Sequence, residues 1–409
     1  MNVAVKNVAA PVETGEGTGP IPEEVLARFA RDASARDAGR DLPFDSVEIL
    51  KKLRFGAYRL PKRAGGGGAS LEQSFAAALK LAKADSNIAH IWRNHFMLIE
   101  RLVVHPTTDP FLQRLREGVS QGELIGLAGT ELDRRQTGGA SPLSSKLVRH
   151  GASYRLSGKK FYSTGSIFAD WISTYAALED GTNASVLLPR DRKGLELIDD
   201  WDGMGQRLTG TGTTIFHDVE VAPEEIVRDE ALHSQGKFFS STIAQLFLTA
   251  VIAGVTAAIA EDAQAVLGGR ERTFYFAPTE SARDDPLLLA SLGERHADAF
   301  ATEAIVLAAA RVLQEAATVI ATGAGAEAEV QAAAAAAAKA KVAVDAIAIR
   351  AASALFDVAG ASATVRSRNL DRHWRNIRTI ASHNPASYKA FAIGNRALNG
   401  ILLPTLGFF

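Results

Sequence analysis

The change of periodicity along the chain constrains its fold most, because helical patterns frame a central segment of short strands. Apolar residues recur with helical spacing from Pro22 to about Gly118, and the pattern is helical again from Gly236 onward. In the segment between, short apolar runs alternate with turn residues, which predicts a β domain. We therefore predict an α+β chain in four parts: a flexible tail at 1–20, a helical domain at 21–122, a β domain at 123–235 and a helical bundle at 236–409.

Local signals refine the first helical region. Ser70 is expected to cap a helix that begins at Leu71, and the segment Asp85–Leu102 is expected to form a single helix. The four consecutive glycines Gly65–Gly68 predict a flexible loop between these helices and those before them.

The last region contains two unusual helical patterns. Ile243–Ala260 is the longest apolar run, but its polar interruptions favour a buried bundle helix over a membrane span. Gln331–Ala340 is dominated by alanine, a strong helix former whose small side chain permits close packing. Breaks at Gly323–Gly325 and at Gly360 separate long helices, as in an antiparallel bundle.

Composition excludes several functional classes. The 409 residues carry 45 basic and 46 acidic side chains, so there is no broad basic field for nucleic acid. The absence of cysteine excludes disulfides, thiolate nucleophiles and cysteine metal ligands. Residues 1–20 lack the pattern of a signal peptide, and no membrane association is expected, so we predict a cytoplasmic protein.

Three motifs of the β region occur in a characteristic order. They read AGTE at Ala128–Glu131, GKKFYSTG at Gly158–Gly165 and DWDGMGQRLT at Asp200–Thr209, the last continuing to Val221. Together they resemble the flavin-contacting segments of the acyl-CoA dehydrogenase superfamily. The resemblance implies an N-terminal α-helical domain, a middle β-barrel and a C-terminal four-helix bundle.

The C-terminal motifs resemble one branch of that superfamily. Its members are dibenzothiophene monooxygenases and related sulfur-acquisition oxygenases, and the resemblance rests on Phe356–Ala361, Asp371–Thr379, His383–Pro385, Ser387–Lys389 and Leu398–Gly400. It implies a homotetramer with flavin sites near its subunit interfaces, using reduced FMN from a separate flavin reductase. Oxygen would be activated as a flavin C4a-(hydro)peroxide and transferred to a small aromatic or sulfur-containing substrate.

Two alternatives stay open. A true acyl-CoA dehydrogenase would use FAD and would need a carboxylate base, yet neither Ile380–Pro385 nor Ser241–Val251 contains an acid. A flavin-free homologue with a binding or scaffold role is the second alternative. It is kept open because family positions for asparagine, histidine and arginine are occupied by Leu127, Ile380 and Pro278.

The resemblance assigns catalytic roles to His383, His90 and Ser163. His383 would pass a proton beside the flavin, because a histidine titrates near neutrality. His90 matches an active-site histidine of the family, although a lone helical histidine is more often structural. Ser163, interpreted as a strand residue on the same face as Phe161, would approach the flavin N5 side.

Further positions are assigned to the cofactor and substrate. The expected cofactor-binding residues are Thr130, Phe161, Tyr162, Ser163, Thr164, Trp201, Arg272, Gly360, Ala361 and Ser362, with Arg270 or Arg283 as other candidates for the flavin phosphate. The expected substrate pocket contains Asn94, His95, Leu127 and Ile380. Leu127 and Ile380 make it more apolar than in the branch, which indicates a different substrate. No metal site is predicted, because no ligand spacing supports one.

Overall fold

The computed structural model describes residues 19–102, 104–105, 107–132, 143–228, 234–323, 325–404 and 409. The predicted tail therefore lies almost entirely outside the described residues. Three regions follow one another along the described chain, a helical region, a sheet and a second helical region. This is the mixed architecture that the sequence predicts, although the domain boundaries themselves stay a prediction.

Six helices form the first region. They are α1 (Glu23–Gly39), α2 (Phe44–Lys52), α3 (Leu71–Ala84), α4 (Ser86–Ile91), α5 (Arg93–Leu102) and α6 (Pro110–Ser120). Ser70 caps α3 in a complete capping box with Gln73, as predicted. The helix predicted over Asp85–Leu102 is in fact two helices, α4 and α5, which meet at Trp92. Asp85 accepts hydrogen bonds from the first turn of α4, which fixes where that helix starts.

The glycine segment Gly65–Gly68 is not an open flexible loop. The Gly67 and Gly68 amides donate to the carbonyls of Ala57 and Leu60 at 3.1 and 2.8 Å. A Cβ atom on Gly66 would lie only 2.3 Å from the Leu60 carbonyl oxygen. The glycines thus permit close backbone packing, which sequence composition alone does not distinguish from flexibility.

In the described part of the chain, the central sheet has eight strands. They are β1 (Ile125–Ala128), β2 (Lys146–His150), β3 (Ser153–Lys160), β4 (Trp171–Leu178), β5 (Asn183–Pro189), β6 (Leu195–Ile198), β7 (Thr213–Val221) and β8 (Ile226–Arg228). The order is β6-β7-β3-β2-β4-β5-β8, and β1 pairs in parallel with β4. The hydrogen bonds of the described residues thus form a sheet with end strands β6 and β8, and they do not show its closure into a barrel.

The second helical region contains three long and two shorter helices. They are α7 (Ser234–Gly268), α8 (Pro286–Ala321), α9 (Glu327–Ala359), α10 (Asp371–Ala381) and α11 (Ala386–Asn399). α7, α8 and α9 pack against one another, and α3 and α5 of the first region pack against α7. The alanine-rich run is an ordinary helix within α9, and the breaks at Gly323–Gly325 and Gly360 fall between helices, as predicted.

Two described helices are long and apolar enough to cross a membrane, by length and composition alone. In the most apolar window of Phe238–Gly268, 89% of the residues are buried inside the protein, whereas the value for Pro286–Ala321 is 33%. The predicted interpretation of Ile243–Ala260 as a bundle helix is therefore confirmed. α8 leaves much of its apolar surface uncovered.

Candidate active site

His90 lies in α4 and faces the loop that precedes β7. Its Nδ1 atom lies 3.0 Å from Gln206 Oε1, and Gln206 Nε2 donates to Ser86 Oγ at 3.0 Å. Because the Gln206 oxygen faces the ring, Nδ1 carries the proton and Nε2 carries the lone pair. Within the described part of the chain, the buried His90 Nε2 has no hydrogen-bond partner. Burial first, and then the charge of Arg93, lower the pKa of His90 to about 3, so the ring is neutral at pH 7.

Gln206 is positioned from two sides. Its backbone adopts a left-handed conformation, with φ at 53°, and its amide donates to Asn376 Oδ1 of α10 at 2.7 Å. The neighbouring Gly205 lies so close to α10 that a Cβ atom there would be 2.2 Å from the Arg375 carbonyl oxygen. The loop is therefore fixed against α10 and holds the Gln206 side chain towards His90.

His383 lies at the junction of α10 and α11, where its amide donates to the Ile380 carbonyl at 3.0 Å. The residue is half-buried, but its Nδ1 atom is buried. Burial holds the pKa of His383 well below its usual value, and the nearby charges of Arg93 and His90 lower it further. The structure thus brings together His90 and His383, which are distant in sequence.

The predicted strand position of Ser163 is wrong, because β3 ends at Lys160. Residues 162–165 form a turn in which Tyr162 has a left-handed φ of 57°. Strand alternation therefore does not place Ser163 on the same face as Phe161. Ser163 is buried, and its Oγ accepts a hydrogen bond from Thr214 Oγ1 at 2.9 Å.

This turn packs against the helix break beside His90. A Cβ atom on Gly165 would lie 2.6 Å from the Ile91 carbonyl oxygen, so only glycine permits the approach. Asn94 Nδ2 donates to the Thr164 carbonyl at 3.2 Å from the other side of the break. Thr164 Oγ1 in turn lies 2.8 Å from Thr211 Oγ1.

Aromatic side chains lie next to the turn. The rings of Tyr162 and Trp201 meet edge to face, with centroids 6.0 Å apart, and Trp201 Nε1 donates to the Gln206 carbonyl at 3.0 Å. Phe161 is joined to Thr130 by an isolated bridge, in which its amide donates to the Thr130 carbonyl at 2.8 Å. The structure therefore gathers the expected flavin-ring residues around one turn.

The expected substrate-pocket residues have different surroundings. His95 donates from Nε2 to the Gly56 carbonyl at 3.1 Å, and its Nδ1 accepts from the Ile125 amide at 3.0 Å. Both ring nitrogens are thus used by backbone, which favours a structural role, and burial lowers the pKa of His95 to about 4. Leu127 lies on β1, whereas Ile380 is buried in α10 near His383.

The expected phosphate-binding residues lie at the end of α7 and α9. Arg270 Nη1 donates to the Val358 carbonyl at 3.2 Å, and a Cβ atom on Gly360 would be 3.4 Å from the same nitrogen. Arg272 is exposed, as are Ala361 and Ser362. Arg283 donates from Nε to the Gly268 carbonyl at 3.1 Å, so Arg270 is the arginine that the structure brings beside Gly360.

Sequence reasoning missed Gln206 and Arg93. Gln206 is part of the recognised DWDGMGQRLT motif, but nothing in its type indicates that it would orient a histidine from another domain. Arg93 follows the helix break at Trp92, and an arginine in a helix is by default interpreted as exposed. Among the described residues, no group of three or more His, Asp or Glu side chains is placed to hold a metal ion.

The family model described as "Acyl-CoA dehydrogenase, C-terminal domain" matches residues 246–388. Among relatives, a probable FMNH2-dependent monooxygenase, SfnC of Pseudomonas putida, is 28% identical over 93% of this chain and 94% of its own length. The methanesulfinate monooxygenase MsuC of Pseudomonas fluorescens superposes with a TM-score of 0.85 and 28% identity, over 94% of this chain and 98% of MsuC.

The chain has an acyl-CoA dehydrogenase fold and resembles the dibenzothiophene-monooxygenase branch. TdsC of Paenibacillus sp. A11-2 is a dibenzothiophene monooxygenase solved with FMN and indole. It matches 94% of this chain and 97% of TdsC, with a TM-score of 0.85 and 25% identity. The fold class and the family resemblance drawn from the sequence are therefore confirmed.

Proposed function

We propose that this protein is a two-component, FMN-dependent monooxygenase that oxygenates a small aromatic or sulfur-containing molecule. Its reduced FMN is supplied by a separate flavin reductase, and it acts in the cytoplasm. The similarity to FMN-dependent monooxygenases over nearly the whole chain supports this proposal. The observation that carries it is the buried His90, whose Nε2 has no partner in the described structure and whose charge acts on His383 from a distant part of the chain.

The residues present fit a bound FMN. The turn at 162–165, with Thr130, Phe161 and Trp201 beside it, would hold the ring system, and Tyr162 is half exposed and available for stacking. The backbone of Gly360–Ser362 with Arg270 would hold the phosphate. When bound, reduced FMN supplies the activation of molecular oxygen, which no side chain of this protein provides.

The chain's own contribution is to hold protons and exclude water. His90 Nε2 is a lone-pair acceptor in a buried position, so it accepts a hydrogen bond from a ligand. The lowered pKa of His383 departs from the expectation that it titrates near neutrality, so the ring is neutral at pH 7 and would act beside the reacting group through its N–H or its lone pair and not as a resting cation. The buried surroundings of both rings limit the access of water to the reacting atoms.

A dehydrogenase reaction is the alternative, and it would use FAD with a carboxylate base. Lys341 Nζ donates to the Ala381 carbonyl near His383 and also holds Asp345 Oδ2 at 2.7 Å, so one oxygen of that carboxylate is already occupied. Titration of the purified protein with FMN and with FAD, followed by absorbance, separates the two functions. We expect the protein to bind FMN more tightly than FAD. We also expect NADH to be consumed only when a reductase is added. NADH oxidation by the isolated protein would contradict the proposal, and failure to bind either flavin would indicate the flavin-free alternative.

We also propose that the protein is a homotetramer. α8 and α11 carry large apolar side chains on their surfaces, including Phe300 at 77% and Leu398 at 85% exposure. Large apolar side chains exposed on neighbouring helices are typical of surfaces that associate with another chain, so association is expected. Light scattering at micromolar concentration should give four times the mass of one chain, and a monomer would contradict this part of the proposal.

A further inference from the structure

Arg93 is a buried cation beside the two candidate catalytic histidines. It is the first residue of α5 and is only 8% exposed. Its Nε donates to the Ala244 carbonyl of α7 at 3.1 Å, which fixes the plane of the guanidinium group. Among the described residues, no carboxylate pairs with Arg93, and its two Nη groups make no hydrogen bond.

Three other buried cations of the described chain are compensated by acids. Lys160 lies 2.5 Å from Glu131, Lys341 lies 2.7 Å from Asp345, and Arg295 lies 3.1 Å from Asp298. A buried charge without a counter-ion is unfavourable, so this is the ordinary arrangement. Arg93 differs from these three cations, because no acid of the described chain faces it.

The surroundings of Arg93 do not neutralise it. Arg93 Nε is bonded to the Ala244 carbonyl of α7, and Asn384, which follows His383, donates from Nδ2 to the Oε1 atom of the next residue on α7, Gln245, at 2.5 Å, so Arg93 and His383 approach the same turn of α7. The charges of Arg93, His90, Lys341 and Lys389 lower the pKa of His383. Burial lowers the pKa of Arg93 only to about 10, which leaves it charged at pH 7. The acid of this cluster, Asp345, is already bound to Lys341. The charge of Arg93 therefore has no counter-ion among the described residues, and the five donor hydrogens of its guanidinium group are incompletely used.

We infer that Arg93 binds the anionic group of the substrate, a sulfinate, sulfonate or carboxylate on a small organic molecule, beside His90 and His383. The inference rests on the proposed function and narrows its substrate to a class. A planar guanidinium pairs with two oxygens of such a group, which fixes the orientation of the molecule. A bound anion would also provide the counter-charge that the described residues lack.

A flavin phosphate offers the same chemistry as an organic anion. The residues expected to hold the phosphate, Arg270 and Gly360, lie at the ends of α7 and α9, whereas Arg93 lies at the α4–α5 break. The position of Arg93 beside the histidines therefore favours the substrate. The experiment needs one arm for each source.

The first arm uses the unaltered protein. Methanesulfinate and dimethyl sulfoxide differ by replacement of one charged oxygen with a methyl group, so they form a matched pair of probes. Calorimetric titration of each into the protein, with and without saturating FMN, should show binding of methanesulfinate at least about 10-fold tighter than that of dimethyl sulfoxide. Equal or absent binding of the two in both states would overturn the inference, and this arm does not depend on any variant folding.

The second arm uses Arg93→Met, Arg93→Lys and, as a control, Arg311→Met on the exposed surface of α8. We expect methanesulfinate binding to fall by about 10-fold or more in Arg93→Met, to recover in part in Arg93→Lys and to stay unchanged in Arg311→Met. FMN affinity should be equal in all four proteins. Weaker FMN binding with unchanged methanesulfinate binding would assign Arg93 to the flavin phosphate and overturn the inference.

The monooxygenase function and the anion site at Arg93 can be refuted independently. Methanesulfinate binding that depends on Arg93, in a protein that binds no flavin, would leave the anion site standing and refute the monooxygenase. Reductase-dependent oxygenation of methanesulfinate at an unchanged rate and an unchanged KM in Arg93→Met would leave the monooxygenase standing and refute the anion site.

Discussion

His90 in α4 and His95 in α5 lie on either side of the α4–α5 break, and their surroundings bind the imidazole ring differently. His95 has both nitrogens bonded to backbone, at Gly56 and Ile125. His90 has one nitrogen bonded to Gln206 and the other, in the described structure, without a partner. Both are buried and both have a lowered pKa, so neither property marks a site. The unused lone pair of His90 Nε2 does mark a candidate site, because a native protein leaves few buried polar atoms without a hydrogen bond.

The largest effect is expected for His95→Ala. The substitution leaves the Ile125 amide and the Gly56 carbonyl without partners and opens a cavity, so the free energy of unfolding should fall by about 3–5 kcal/mol. Urea denaturation measures this loss. Activity per folded molecule should persist. If the free energy of unfolding fell by less than about 1 kcal/mol and turnover were abolished, His95 would have the predicted role in the substrate pocket and not a structural one.

His383→Ala should act on turnover and not on stability. A general acid or base contributes on the order of 10²-fold, so substrate oxygenation should fall by about that factor. Oxygen should still be consumed, but released as hydrogen peroxide. The measurement is the ratio of product to peroxide under a constant supply of reduced FMN.

His217→Ala is the control, because that histidine is exposed and pairs with Glu196 on the surface of the sheet. An unchanged ratio and rate in His383→Ala would make His383 a structural residue like His95.

Sequence and structure agree on features that depend on local chemistry. The cap at Ser70, the helix within the alanine-rich run and the breaks at Gly323–Gly325 and Gly360 were predictable because each depends on neighbouring residues. The C-terminal motifs likewise carried the family resemblance. These features locate the elements and the branch, but they do not specify contacts between distant segments.

The remaining features depend on tertiary contacts. β3 ends at Lys160, the left-handed backbone of Tyr162 turns the chain, and Gly165 then packs against Ile91, a contact that no strand pattern records. The partners of His90 and His95 are distant along the chain, so periodicity could not separate their roles. The missing counter-ion of Arg93 is likewise visible only when the surrounding acids are placed in space.

Acid should destabilise the protein through these buried histidines. The pKa values of His90 and His95 are about 3 and about 4 in the folded chain, below the usual value of 6.5. Unfolding therefore takes up protons below pH 6.5, and stability present above that pH is lost as the pH falls.

As the pH falls below 6.5, each histidine should lower the free energy of unfolding by about 1.4 kcal/mol per pH unit, or by about 2 kcal/mol between pH 6.5 and 5. Asp85 and Asp345, whose pKa values are raised by burial, act in the opposite direction. Urea denaturation at pH 7, 6 and 5 measures the balance, and stability that is constant over this range would contradict neutral buried histidines.

The smallest expected effect is the loss of stability in His90→Gln at pH 7. Glutamine retains a donor for Gln206, and His90 Nε2 contributes no hydrogen bond that could be lost, so the free energy of unfolding should fall by about 1 kcal/mol or less. The same change at position 95, His95→Gln, removes two backbone partners from a fixed geometry and should cost more. Because glutamine does not titrate, His90→Gln should also lose about 1.4 kcal/mol less per pH unit than the unaltered protein below pH 6.5. Equal losses in the two variants at pH 7 would show that the free nitrogen of His90 has no thermodynamic signature and would remove the distinction between the two sites.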